Sequence, residues 1–180
     1  IAELVRVHRE TDAACTVLTA VVDDPGRLGR VIRGKDDQVT RIVEAADASP
    51  EEAEIREINT AVYCFRQSLL APALRRITPE NAQGEYYLTD VVAVLRDAGY
   101  RVAAVQVDDA AEGEGINDRE QLANAEAELR RRTNESWLRA GVTLVDPANT
   151  YLDSTVKLGA DVTLFPGTIL QGSTVVGAGT

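Results

Sequence analysis

The sequence has 180 residues, with 29 acidic against 19 basic ones and a formal net charge of −10. That length allows one good core, or one domain plus part of another, while no apolar run approaches the roughly 20 residues of a membrane span and no signal-like start is present. The negative balance argues against a nucleic-acid partner, whose footprint would be a basic patch longer than Arg130-Arg131-Arg132, and it repels anionic substrates at long range, so a phosphate-bearing ligand would need local cations or a metal.

Residues 1 to 10 carry Ile1, Leu4, Val5 and His8 at helical spacing. "CTVLTAVV" (15 to 22) is β-branched and apolar on both faces, which suits a buried strand of an α/β sheet. "GRVIRGKDDQVTRIVEA" gives two alternating runs around Gly34, Asp36 and Asp37, predicting a β-hairpin. "EINTAVYCF" (57 to 65) is the next buried strand, followed by a helix from Ser68 to about Ile77. "TPENAQGEYYLTDVVAVLRDAGY" reads as a polar loop, then a helix with Leu88, Val91, Val92 and Leu95 on one face, closing at Gly99. "RVAAVQV" is a further strand and "EGEGIND" an acidic loop. Asp118, with Gln121 three residues on, caps a helix running to about Arg139. Strands alternating with helices predict an α/β domain.

Cys15 and Cys64 each sit in an apolar run and read as buried residues of a reduced, cytosolic protein. His8 is the only histidine and has no Ser or Cys neighbour suggesting a relay, which argues against His-dependent catalysis. The Arg130–Arg132 triplet falls within a charged helical pattern and reads as a solvated face.

After Val145 the period changes. Leu152, Leu158, Leu164, Leu170 and Val176 recur every six residues, and four residues after each come Val156, Val162, Thr168, Thr174 and Thr180. This is the beat of a hexapeptide β-helix, with aliphatic and small or β-branched residues inward and Gly and Asp at corners. About three hexapeptides make one coil, and stacked coils need several repeats and a cap. With no methionine and an opening Ile1 inside a helical pattern, the chain reads as an internal piece of a longer protein.

An α/β domain, a long helix and then a β-helix is a specific order. With "IVEAADASPEEAEIREINTAVY", "NAQGEYYLTD" and "EGINDREQLANAEAELR", it resembles the bacterial bifunctional UDP-N-acetylglucosamine pyrophosphorylase / glucosamine-1-phosphate N-acetyltransferase family from about residue 15 to residue 180. The resemblance implies the C-terminal part of a Rossmann-like, mixed-sheet nucleotidyltransferase domain over 1–117. It further implies a linker helix over 118–140 and the start of a left-handed parallel β-helix over 141–180.

The activity so implied joins UTP to N-acetylglucosamine 1-phosphate, giving UDP-N-acetylglucosamine and pyrophosphate. The sugar phosphate is itself the nucleophile, so alignment and charge neutralisation are the protein's task, and no catalytic residue is named. Gly29 corresponds to a glycine whose backbone lies against the sugar, although Arg27-Leu28-Gly29-Arg30 stands where the family has Gly-Tyr-Gly-Arg. Glu44 would accept sugar hydroxyl hydrogens. Asn59, out of character inside a strand, offers donor and acceptor to an N-acetyl group. Tyr87 and Thr89 would close around the sugar phosphate. Asn117 would help bind Mg²⁺ against the diphosphate, an amide oxygen being a suitable hard ligand.

The family's glycine-rich phosphate loop and second metal ligand would lie ahead of residue 1. Acetyl transfer from acetyl-CoA, between subunits of a homotrimer, would use residues beyond Thr180. The isolated chain is therefore expected to catalyse neither step. In the intact protein the product would feed peptidoglycan and, in some bacteria, lipopolysaccharide synthesis in the cytoplasm. Two other readings remain: a nucleotidyltransferase for a different sugar or nucleotide with a β-helix tail, and a non-catalytic trimer-forming subunit.

Overall fold

The computed structural model describes residues 1–35, 37–113, 115–116 and 118–180. It divides into two compact units, Ile1–Gly115 and Ile116–Thr180.

The first unit is built on five strands: β1 (Cys15–Val21), β2 (Arg30–Arg33), β3 (Val39–Val43), β4 (Glu57–Phe65) and β5 (Val102–Gln106). Their order is β3-β2-β4-β1-β5. All neighbours are antiparallel except β1 and β5, so the sheet is mixed. Six of the seven residues of β1 are buried, as both-face apolarity demands of a central strand. Helix α1 (Ala2–Glu10) packs its Leu4 inward, and His8 Nδ1 lies 2.9 Å from Thr16 Oγ1.

Four residues not assigned from sequence form α2 (Pro50–Ala53). Ser49 accepts from the Glu52 amide while the Glu52 side chain accepts from the Ser49 amide, a complete capping box with Pro50 in the first turn. The predicted helix from Ser68 to Ile77 instead runs Gln67–Leu74 (α3) and contains Pro72. Helix α4 (Asp90–Asp97) buries Val91, Val92 and Leu95. Leu88 precedes it and stays exposed, correcting the predicted four-residue face. These three buried residues join Cys15, Val17, Val31, Val39, Ile42 and Val102 in one core, with Tyr63 and Phe65 against it. Cys64 is half-buried rather than core, and both cysteines are free. The predicted hairpin forms between β2 and β3; Asp37 takes a positive φ in its turn, and Asp36 lies outside the described residues.

In the second unit, α5 (Arg119–Arg139) starts at Asp118, whose carboxylate accepts from the Gln121 amide at 2.8 Å. Arg131 and Arg132 pair with Glu128 and Glu135 on the same helix, and Arg130 stacks over Tyr151 at 4.7 Å. Beyond it run two-residue strands: β6 (Thr143–Leu144), β7 (Tyr151–Leu152), β8 (Lys157–Leu158), β9 (Thr163–Leu164), β10 (Ile169–Leu170) and β11 (Val175–Val176). They pair in parallel, β6 with β9, β7 with β10 and β8 with β11. Their leucines face a small core of Val142, Leu144, Leu152, Val162 and Leu164, with Trp137 of α5 against it. A Cβ on Gly159 would meet the Ala178 amide nitrogen at 2.5 Å, so close stacking of the chain there requires glycine. Among the described residues no helix is long and apolar enough to cross a membrane.

Candidate functional site

Antiparallel register carries three of the sequence-selected residues to one end of the first unit's sheet. Arg30 pairs with Val43 on one side and Ile58 on the other. One residue away, Gly29 therefore falls between Glu44 and Asn59, and its carbonyl accepts from the Asn59 amide at 2.9 Å. Thr19 stands opposite Asn59 on the far side. Because side chains alternate along strands, Glu44, Gly29, Asn59 and Thr19 form one row on one face.

Gly29 makes the low point of that row. A Cβ there would lie 3.2 Å from Ile42 Cγ2 and 3.4 Å from Glu44 Oε2. Absence of a side chain leaves the Glu44 carboxylate uncovered. One of its oxygens, Oε1, accepts from the Thr89 hydroxyl at 2.9 Å. Thr89 is buried at the start of α4, so packing of that helix fixes the rotamer of Glu44 and leaves Oε2 as the outward acceptor.

Asn59 is buried, and its Oδ1 accepts from the Ala61 amide at 3.0 Å. That bond needs a kink: Ala61 sits at φ 60 inside β4, a left-handed conformation costing a non-glycine residue about 1–2 kcal/mol. The ladder shows the same event as a bulge, in which Val17 faces Tyr63 but Thr19 already faces Asn59. With Oδ1 engaged, Nδ2 is the atom Asn59 has for a ligand. The floor thus offers an acceptor at Glu44 and a donor at Asn59.

Tyr87 belongs to a loop built by Asn81, whose Oδ1 accepts from the Gln83 and Glu85 amides, both at 3.2 Å. Asp47 ties that loop down by accepting from the Ala82 amide at 2.8 Å. The Tyr87 hydroxyl donates to Gln83 Oε1 at 2.8 Å. Burial first, then the carboxylates of Asp47, Glu44 and Glu85, push its pKa up. Asp90 is likewise pushed up, by burial and then by Asp47 and Glu44. Tyr87 and Asp90 therefore share the surroundings of Glu44 in a strongly acceptor-rich rim. Asn117, the expected Mg²⁺ ligand, lies outside the described residues. Among the described residues no three His, Cys, Asp or Glu side chains gather as a metal site.

Structure adds residues that sequence reasoning passed over. Arg30 is buried, and its guanidinium donates to the Leu28 carbonyl, to Gly26 O at 3.0 Å and to Ala53 O at 3.4 Å. It thereby shapes the loop that presents Gly29, and its place directly after that glycine was the available signal. Ala61 acts through its backbone and carried none.

Residues 1–141 match the nucleotidyl transferase family. The Bifunctional protein GlmU of Pseudarthrobacter chlorophenolicus is 53% identical over 176 residues, 98% of this chain and 36% of that protein. That of Paenarthrobacter aurescens is 53% identical over 174 residues, 97% of this chain and 35% of its own length. The Shouchella clausii protein of the same name is 47% identical over 177 residues, 98% and 39% respectively. The chain thus spans 35% to 39% of the length of these curated relatives, and the resemblance drawn from its own words is borne out.

Proposed function

The chain belongs to the nucleotidyl transferase family, and we propose that its sheet-end row is the sugar side of a site joining UTP to N-acetylglucosamine 1-phosphate. The observation that carries this reading is the row itself: acceptor Glu44, side-chain-free Gly29 and donor Asn59 on one face. A sugar hydroxyl hydrogen fits Oε2 of Glu44, and an N-acetyl carbonyl fits Nδ2 of Asn59. Gly29 lets the ring come down onto backbone, Thr89 holds Glu44 in place, and Tyr87 covers the phosphate end.

In the reaction, a phosphate oxygen of the sugar phosphate forms a bond to the α-phosphorus of UTP as the bond to pyrophosphate breaks. Positioning and charge neutralisation carry such a step. A net charge of −10 makes the second task demanding. Mg²⁺ is the cofactor this reading implies; it would supply neutralisation at the diphosphate, with Asn117 as its ligand. The chain's own residues hold and orient the sugar.

The same reading takes 1–117 as the nucleotidyltransferase part, 118–140 as a linker helix and 141–180 as the start of a left-handed β-helix. Parallel two-residue strands with leucines inward support the last of these. Acetyl transfer from acetyl-CoA to glucosamine 1-phosphate, a homotrimer and a cytoplasmic role in cell-wall precursor synthesis would belong to the full-length protein.

Competition binding to the full-length protein tests the proposal. UDP-N-acetylglucosamine should outcompete UDP-glucose and dTDP-glucose, and Asn59→Ala should erase that preference. Stronger binding of a sugar without the N-acetyl group would overturn it. The purified 180-residue chain should form no UDP-N-acetylglucosamine.

A further inference from the structure

The first unit contains a buried hydroxyl with no partner beside the proposed sugar row. Tyr63 Oη is sealed from solvent and makes no hydrogen bond. Natural proteins seldom leave a buried hydroxyl unpaired, and the exceptions concentrate where function supplies the partner.

Its position follows from the bulge. In an uninterrupted antiparallel ladder, advancing two residues along β1, from Val17 to Thr19, would move the partner two residues along β4. Here the partner moves four, from Tyr63 to Asn59. Both therefore stay on the face of Val17 and Thr19, and the left-handed Ala61 takes up the slack between them. Tyr63 is wedged against the core and stacks on Phe65, with ring centroids 5.3 Å apart, so its ring has little freedom to turn away. Burial pushes the Tyr63 phenol pKa up, the Asn59 amide beside it opposes that, and Cys15 and Glu44 add to the rise.

We infer that Tyr63 is a positioning residue for Asn59, an assignment resting on the proposed sugar site. Ala61 N–H already holds Oδ1. Nδ2 carries two hydrogens: with the sugar bound it donates one to Tyr63 Oη, supplying the partner that the free site lacks, and presents the other to an acceptor on the ligand. Clamped at both ends, the amide cannot flip, and the row shows a donor, never an acceptor, at this point. The consequence is discrimination for a sugar bearing a carbonyl acceptor, such as an N-acetyl group, over one bearing an ammonium, which has no acceptor, or a hydroxyl, whose oxygen sits two bonds nearer the ring than the acetyl oxygen.

The test uses Tyr63→Phe, which removes one oxygen and keeps the ring, in the full-length protein. KM for N-acetylglucosamine 1-phosphate should rise about three- to tenfold, the range of one net hydrogen bond. KM for UTP and kcat should move less than twofold, and the preference over glucose 1-phosphate should fall by the same factor as the sugar KM rises. Thermal stability should hold or rise, since an unpaired hydroxyl is gone. In an Asn59→Ala background the substitution should have no further effect, which a purely structural tyrosine would not obey. Equal changes in both KM values, an unchanged preference, or a full effect in the Asn59→Ala background would each overturn the inference. If Asn59→Ala itself leaves the preference intact, the sugar-site reading fails, and with it the ground for Tyr63. If Asn59→Ala abolishes the preference but Tyr63→Phe does not lower it, only the positioning role fails.

Discussion

Gly29→Ala separates affinity from stability at the candidate site. The new methyl would sit 3.2 Å from Ile42 Cγ2 and 3.4 and 3.5 Å from the two carboxylate oxygens of Glu44. Gly29 does not need a positive φ, so the backbone accepts alanine, and lost freedom in the unfolded chain stabilises by about 0.4–1 kcal/mol. Pushing Ile42 or Glu44 off its rotamer costs about 0.5–1.5 kcal/mol. These nearly cancel, so the urea midpoint should move by less than about 1 kcal/mol equivalent. Binding is a different matter. The methyl fills the floor and displaces a carboxylate held by Thr89 at 2.9 Å. Losing one hydrogen bond to a charged acceptor forfeits about 1.5–3 kcal/mol, or about 10- to 150-fold in affinity at 1.4 kcal/mol per decade. Calorimetric titration of the full-length protein with N-acetylglucosamine 1-phosphate, beside urea unfolding, checks both numbers. Wild-type affinity in the alanine variant would refute the idea that the ligand descends onto Gly29.

Three further outcomes are expected. Ala61→Gly should raise the urea midpoint, since relief of about 1–2 kcal/mol of left-handed strain exceeds the roughly 0.5–1 kcal/mol entropic penalty of glycine, whereas Ala61→Val should lower it. Burial first, and then the Arg66 guanidinium, hold the His8 pKa below its ordinary value. The unfolded chain therefore takes up this proton first, so stability should fall as pH drops from about 6.5 towards the folded value, and His8→Asn should flatten that part of a pH-dependent unfolding curve. Asn134 is buried in α5 and donates to Pro147 O at 2.7 Å and Thr150 O at 2.9 Å. Asn134→Ala strands both carbonyls and should destabilise the second unit by about 2 kcal/mol, visible as faster amide exchange across residues 143–152.

Local chemistry determined much of this protein from sequence alone. β-branched runs gave the strands around Val17 and Ile58 because such side chains suit a pleated, covered surface. Asp118 marked the start of α5 because an unpaired carboxylate satisfies an orphan amide. The six-residue beat set which of Leu152, Val162 and Leu164 turn inward, since that choice depends on spacing only. Glu44, Gly29 and Asn59 could be picked out singly, through family words. Tertiary structure decided what those words could not encode. Register across three strands, set by cross-strand bonds between residues far apart in sequence, put the three into one row. Packing of α4 fixed Glu44 through Thr89. A left-handed alanine, unfavourable by local propensity and held by its surroundings, turned Tyr63 from a core aromatic into a neighbour of Asn59. Propensity acts within a few residues, whereas strain, burial and unpaired hydroxyls exist only once distant segments meet.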